Sequence, residues 1–260
     1  VNDSLKFYSK FAWFSIQEEQ SSLSSTIAGF ILYPCFIWIF SKLWLGLNHN
    51  FSTLGQTALF AYIGLTEILF LTTQREKLIT NASADFSISF VRPRNWPLYI
   101  SVSIYARTLY RRLLYLVIYV LIMPLFTMNF ALSAQSALRF LLVLPIISLL
   151  DSLYSFVLTN LQIRLFSINS FRLLFGKLFL IFGGVLAPLS DLPAPWDKFF
   201  LNTPFSDMIF QPCYFSIQGQ FYQMSATLWI VRITVQLACL LGLCALSYRS
   251  ARKHYHNFGG

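Results

Sequence analysis

Charge is what this sequence has least of. Of its 260 residues only 11% are Asp, Glu, Lys or Arg, whereas 56% are hydrophobic, and the mean hydropathy is +0.61. A soluble domain carries about 25% charged residues. Less than half that supply cannot cover a water-facing surface, so most of this surface is expected to face lipid. Acidic residues are the scarcer sign, 10 against 19 Lys and Arg, which leaves a net charge of +9. In a soluble protein such a balance raises the question of nucleic acid. Here the basic residues stand between apolar runs, where they set topology and meet anionic lipid, and no nucleic-acid partner is expected.

Catalytic and metal-binding patterns are missing as well. The four cysteines, Cys35, Cys213, Cys239 and Cys244, contain no CxxC pair, which argues against zinc and against a disulfide framework. Histidine occurs three times, at His49, His254 and His256, with no carboxylate cluster beside it. The one Gly-Lys pair, Gly176-Lys177, has Phe171 where a phosphate loop needs its first glycine. Neither HExxH nor GxSxG is present. The chain alone is therefore not expected to be an enzyme or to bind a cofactor or metal. No short apolar core with a small-residue cleavage site stands at the start, so no cleavable leader is expected.

What is present is a succession of apolar runs. In Ser4 to Gln20, Phe7, Phe11 and Phe14 recur at helical spacing and Lys6 and Lys10 share another face; residues 1–25 read as an interfacial amphipathic helix. Membrane spans are expected over about 26–47, 54–73, 113–130, 138–160, 173–186 and 224–248, each near the roughly 20 residues of a crossing except the short fifth. Residues 98–112, ending in Arg107, Arg111 and Arg112, read as a helix entering the membrane from a basic interface. Before the last span lies an outer region, 187–223, opened by the helix-breaking stretch Pro188 to Pro195. The fold class is thus an all-α integral membrane protein of about six transmembrane helices. It has an N-terminal interfacial helix and a short broken or re-entrant segment before the last span.

Orientation follows from the links. Those before the first span, after the second (74–97), after the fourth, and the tail (249–260) hold nearly all the Lys and Arg. The others hold almost none, and the last is acidic, with Asp191, Asp197 and Asp207 against Lys198. Both termini are accordingly expected in the cytoplasm. The charged residues set deepest in the spans are Glu67, Asp151 and Arg232. A charge at such depth costs from about 3 to over 10 kcal/mol and normally faces water or a partner. Two readings stand open: a route for a polar substrate, or helix-to-helix pairing, for instance of a carboxylate with Arg232. Three scattered groups are few for a proton path.

Three stretches carry a resemblance. Ala84-Asp85-Phe86 through Val91-Arg92-Pro93 is similar to the "Gly-Asp-Leu…Leu-x-Arg-Pro" loop of one transporter branch, with Ala84 in the glycine's place. Leu186 to Pro193 followed by Thr203-Pro204-Phe205 resembles its "Pro-Leu…Pro…Leu-Pro-Phe" outer stretch, and Tyr255 to Gly260 its closing aromatic-Gly-Gly. The chain resembles the type-2 ATP-binding-cassette (ABC) exporter permeases, in the bacterial branch of about 260 residues encoded beside a separate ATPase. The resemblance implies an inner-membrane permease that binds no cofactor itself and uses ATP and Mg through a dimer of ABC ATPase subunits. It implies a second permease subunit, a relative somewhat favoured over self, and an ATPase-coupling loop with Arg75, Lys77, Asp85, Arg92, Pro93 and Arg94. An ATP-independent secondary transporter or channel, or a membrane assembly protein, is the alternative. Internal symmetry between the two halves would favour a secondary transporter, and none is evident.

Overall fold

The computed structural model describes residues 2–21, 32–40, 42–43, 54–74, 96–126, 132–165 and 169–257. Regular structure among them is entirely helical. Helix α1 covers Asn2–Ser21, α2 covers 32–40, and α3 covers Gln56–Gln74. Three longer or shorter helices follow: α4 (Trp96–Phe126), α5 (Ala134–Leu165) and α6 (Asn169–Phe182). A 3-10 turn at Leu189–Asp191 leads to the short helices α7 (Trp196–Leu201), α8 (Pro204–Met208) and α9 (Phe210–Gln218). Helix α10, Ala226–Asn257, closes the chain and carries its helical path through most of the basic tail.

Among the described residues three stretches are long and apolar enough to cross a membrane: Gln56–Thr73, Ala134–Leu161 and Ala226–Ala251. At 1.5 Å per residue the shortest still spans about 27 Å, close to the hydrocarbon thickness. They coincide with the second, fourth and sixth expected spans. The basic entry segment and the third apolar run form one continuous helix, the 31-residue α4. The fifth run is a 14-residue helix with only Leu173–Phe182 as its apolar part. Of the first run only 32–40 and 42–43 are described.

Helix α5 is the centre. It packs against α4, α9 and α10, while α3 packs against both α4 and α9. Its inward face contributes Phe140, Leu144, Ile147, Leu150 and Phe156 to the core. On the outer faces large apolar side chains stay uncovered, with Leu121 65%, Leu142 66% and Leu246 62% exposed. Acyl chains suit such a surface and water does not. Pro124 and Pro145 lie inside α4 and α5, as membrane helices tolerate.

Helix α6 ends at Gly183-Gly184. Gly184 has φ +72°, and a Cβ there would stand 2.9 Å from both the Leu189 Cγ and the Tyr62 hydroxyl. Glycine therefore fits this turn on two counts. The Tyr62 hydroxyl of α3 donates to the Gly184 carbonyl at 2.6 Å and so anchors the start of the outer region to the bundle.

Helix α1 runs parallel to the first half of α4. Phe11 stacks on Tyr99 with ring centroids 3.7 Å apart, and the Ser15 and Ser103 hydroxyls meet at 3.0 Å. Farther along, Arg107 donates to Glu18 at 2.7 Å, and Arg111 grips Glu19 through two bonds of 2.6 and 2.7 Å. Each contact joins residues 88 to 92 apart in sequence, a near-constant offset that defines the parallel register. This face differs from the expected one. Phe11 turns inward, whereas Trp13 and Phe14 are both 61% exposed. Glu18 and Glu19 are the clamp.

Candidate functional site

Three polar clusters lie inside the bundle. In the first, Arg112 of α4 is buried at 1% exposure beside Asp151 of α5 at 2%. Its Nη2 donates to the Asp151 carboxylate at 2.6 Å and to Thr73 at 3.1 Å. Its Nε reaches the Thr72 hydroxyl at 3.2 Å and its Nη1 the Ser148 hydroxyl at 2.9 Å. Thr73 donates to the same carboxylate oxygen at 3.0 Å. One guanidinium thus ties α3, α4 and α5 together. The planar fork of arginine suits this, since its donors point to several partners at once.

Glu67 forms the second cluster. It sits in α3, buried at 2% exposure, and among the described residues no hydrogen bond or ion pair reaches its carboxylate. Gly64, one turn away on the same face, has no room for a side chain because the ring of Tyr119 lies against it. The Tyr33 hydroxyl donates to the Gly64 carbonyl at 3.0 Å. Tyr33 meets Tyr115 and Tyr119 edge-on, with centroids 5.2 and 6.4 Å apart.

The third cluster joins the outer region to α10. Arg232 Nε lies 3.0 Å from the fully buried Asp207 carboxylate, and Gln236 donates to the same oxygen at 2.8 Å. Arg232 also donates to the Leu201 carbonyl at 2.9 Å, and the Trp229 indole to the Asp207 carbonyl at 3.3 Å. Nearby, the Gln211 side chain closes a two-bond ring with the Tyr222 backbone at 2.9 and 3.1 Å. The broken stretch is therefore a folded cap seated on the last helix.

Two of these charges are paired in the structure: Arg232 meets Asp207 from the outer region rather than a carboxylate of another span, and Asp151 meets Arg112. Sequence reading placed Arg112 at the interface and Asp207 among the acidic charges of an outer link. A long helix that continues its path buries the former, and a fold-back of short helices buries the latter. Apolar run length registers neither event. The signal available for α1 was the i, i+4 pair Arg107 and Arg111, a basic stripe of the right length for two consecutive glutamates. The coupling-loop residues Arg75, Lys77, Asp85, Arg92, Pro93 and Arg94 lie outside the described residues. No group of three or more His, Cys, Asp or Glu able to hold a metal occurs among the described residues.

Comparison with known proteins finds no family model that matches the chain and no similar curated protein.

Proposed function

We propose that this chain is the membrane permease subunit of an ATP-driven exporter resembling the type-2 ABC kind, powered by a separately encoded ATPase dimer. The reading takes six crossings, with both termini and the 74–97 loop in the cytoplasm of a bacterial inner membrane. ATP and Mg belong to the partner, and a second permease subunit completes the membrane unit.

The observation that carries the reading is the parallel docking of α1 on the basic first half of α4. It makes one body of the N-terminal helix and the helix that directly follows the 74–97 loop. Arg112 extends that body to α3 and α5. A displacement delivered to the loop from below would tilt several spans together, which is how a rigid element transmits nucleotide-driven closure.

Reporter fusions test the topology. Residues 75–94, 164–172 and the tail are expected inside, with 48–52 and 191–223 outside. Substituting Asp85 or Arg92 is expected to lower cargo-stimulated ATP hydrolysis or assembly with the ATPase while leaving the helical fold intact. An external location for the Arg92 loop, or normal coupling by both variants, contradicts the assignment.

A further inference from the structure

The outer region is tied to the bundle below the ends of three long helices. Its start is held by the Tyr62 hydroxyl, which donates to the Gly184 carbonyl at 2.6 Å. Tyr62 stands six residues along α3 from Gln56, about 9 Å at 1.5 Å per residue. Its middle is held by Arg232, six residues inside α10, which donates to the Leu201 carbonyl at 2.9 Å. Its far end meets Arg139, five residues inside α5: a Cβ on Gly219 would stand 2.8 Å from the Arg139 Cζ. At these same ends, from Gln56, Ala134 and Ala226, begin the three stretches long and apolar enough to cross a membrane. Helix α6 leads to a matching depth. Its apolar part, Leu173–Phe182, covers about 15 Å, half of the roughly 30 Å hydrocarbon layer.

The chain at that depth is built as lipid requires. A helix end leaves carbonyls that need partners, and lipid supplies none. At the end of α7 the Lys198 carbonyl accepts from the Asn202 side chain at 2.9 Å and that of Phe199 from the Asn202 amide at 3.3 Å. The Phe200 carbonyl accepts from the Thr203 amide at 3.1 Å and hydroxyl at 2.7 Å. Ser206 joins Arg232 on the Leu201 carbonyl at 2.8 Å. The same short helix turns aromatic rings outward: Trp196 is 56% exposed and Phe199 58%, with centroids 6.3 Å apart. Phe199 also reaches Phe182 of α6 at 6.4 Å, so this face adjoins the uncovered apolar flank of α6 at Ile181, Leu174 and Leu173.

We infer that Trp196 and Phe199 form a lipid-binding surface: the outer region is immersed in one leaflet, the outer one in the proposed topology, and phospholipid acyl chains cover this face. Trp is favoured at the boundary between acyl chains and headgroups, where its ring is apolar and its N–H can meet water. Lys198, exposed on the flank of the same helix, has a stem long enough to carry its ammonium up to the headgroup phosphates. A segment that reads in sequence as an aqueous link is thus a membrane-seated one. Immersion at this depth requires only the membrane character of the chain, not the export function.

Spin labels test the surface on the full chain, with its native cysteines replaced, in vesicles of phosphatidylcholine and phosphatidylglycerol. Labels are placed at Phe199→Cys and, separately, at Trp196→Cys. For each, the ratio of collision with oxygen, which enters lipid, to collision with a water-soluble nickel chelate is measured. That ratio is expected within twofold of a label at Leu142→Cys, 66% exposed on α5, and at least fivefold above a label at Gly260→Cys in the tail. A ratio equal to the tail label shows a water-facing surface and overturns the inference. Low collision with both reagents shows a protein covering the face and overturns it as well. Trp196→Phe keeps a ring in place and gives a reading without labels. The share of tryptophan emission it removes is expected to be quenched at least twofold by phospholipid brominated on its acyl chains; emission indifferent to bromine contradicts immersion. Purification without an ATPase would sink the export reading and leave these results standing.

Discussion

Arg111 and Arg112 are neighbours in sequence, yet side chains one residue apart on a helix point about 100° from each other. One turns to Glu19 of α1 and the other into the core to Asp151. Removing one partner of a buried pair strands the other charge, so Asp151→Asn or Arg112→Met is expected to cost about 3–5 kcal/mol of stability. The double variant Arg112→Met, Asp151→Leu should recover most of that loss, because no charge is left unmatched. Thermal unfolding in detergent checks this; additive losses in the double variant would contradict the pairing. That Asp151 needed either water or a partner was legible in the sequence from its depth. Which cation it takes was not, because a pair 39 residues apart depends on how two helices are rotated, and a single sequence does not record rotation.

Helices α3, α5 and α10 were legible because each is a long apolar run whose length alone specifies a crossing. The α1 helix was legible in its existence and not in its docking, since propensity is local and the face it buries is set by α4. The outer region was recognised as broken from its prolines. Its compactness was not, because that depends on the Asp207–Arg232 contact and on the Gln211 ring with Tyr222. The α1–α4 register admits a direct check. With the native cysteines replaced, Ser15→Cys with Ser103→Cys is expected to form a disulfide under mild oxidation, given hydroxyls 3.0 Å apart and the short reach of that bond. Protease digestion and mass spectrometry would detect the linked peptides. Their absence, with efficient linking one turn away instead, would show a different register.

Taken whole, the molecule pairs an exterior of uncovered apolar side chains with an interior in which two of the three buried acidic residues described, Asp151 and Asp207, are matched by arginine. Arg112 closes the level nearest the basic end, Arg232 fastens the outer cap, and Glu67 lies between them. The membrane character follows from composition, and the helical architecture follows from run length. The assignment to an ATP-driven exporter draws on motif order and on the α1–α4 body adjoining the loop. It turns on a partner, because this chain carries no phosphate loop of its own. Affinity purification of the tagged full chain from its native membranes in mild detergent, with mass spectrometry of what accompanies it, therefore tests the account most directly. A nucleotide-hydrolysing ABC subunit in about twofold symmetry with two permease chains is the predicted result. A chain that purifies alone, intact and helical, with no ATPase under any nucleotide condition would contradict it.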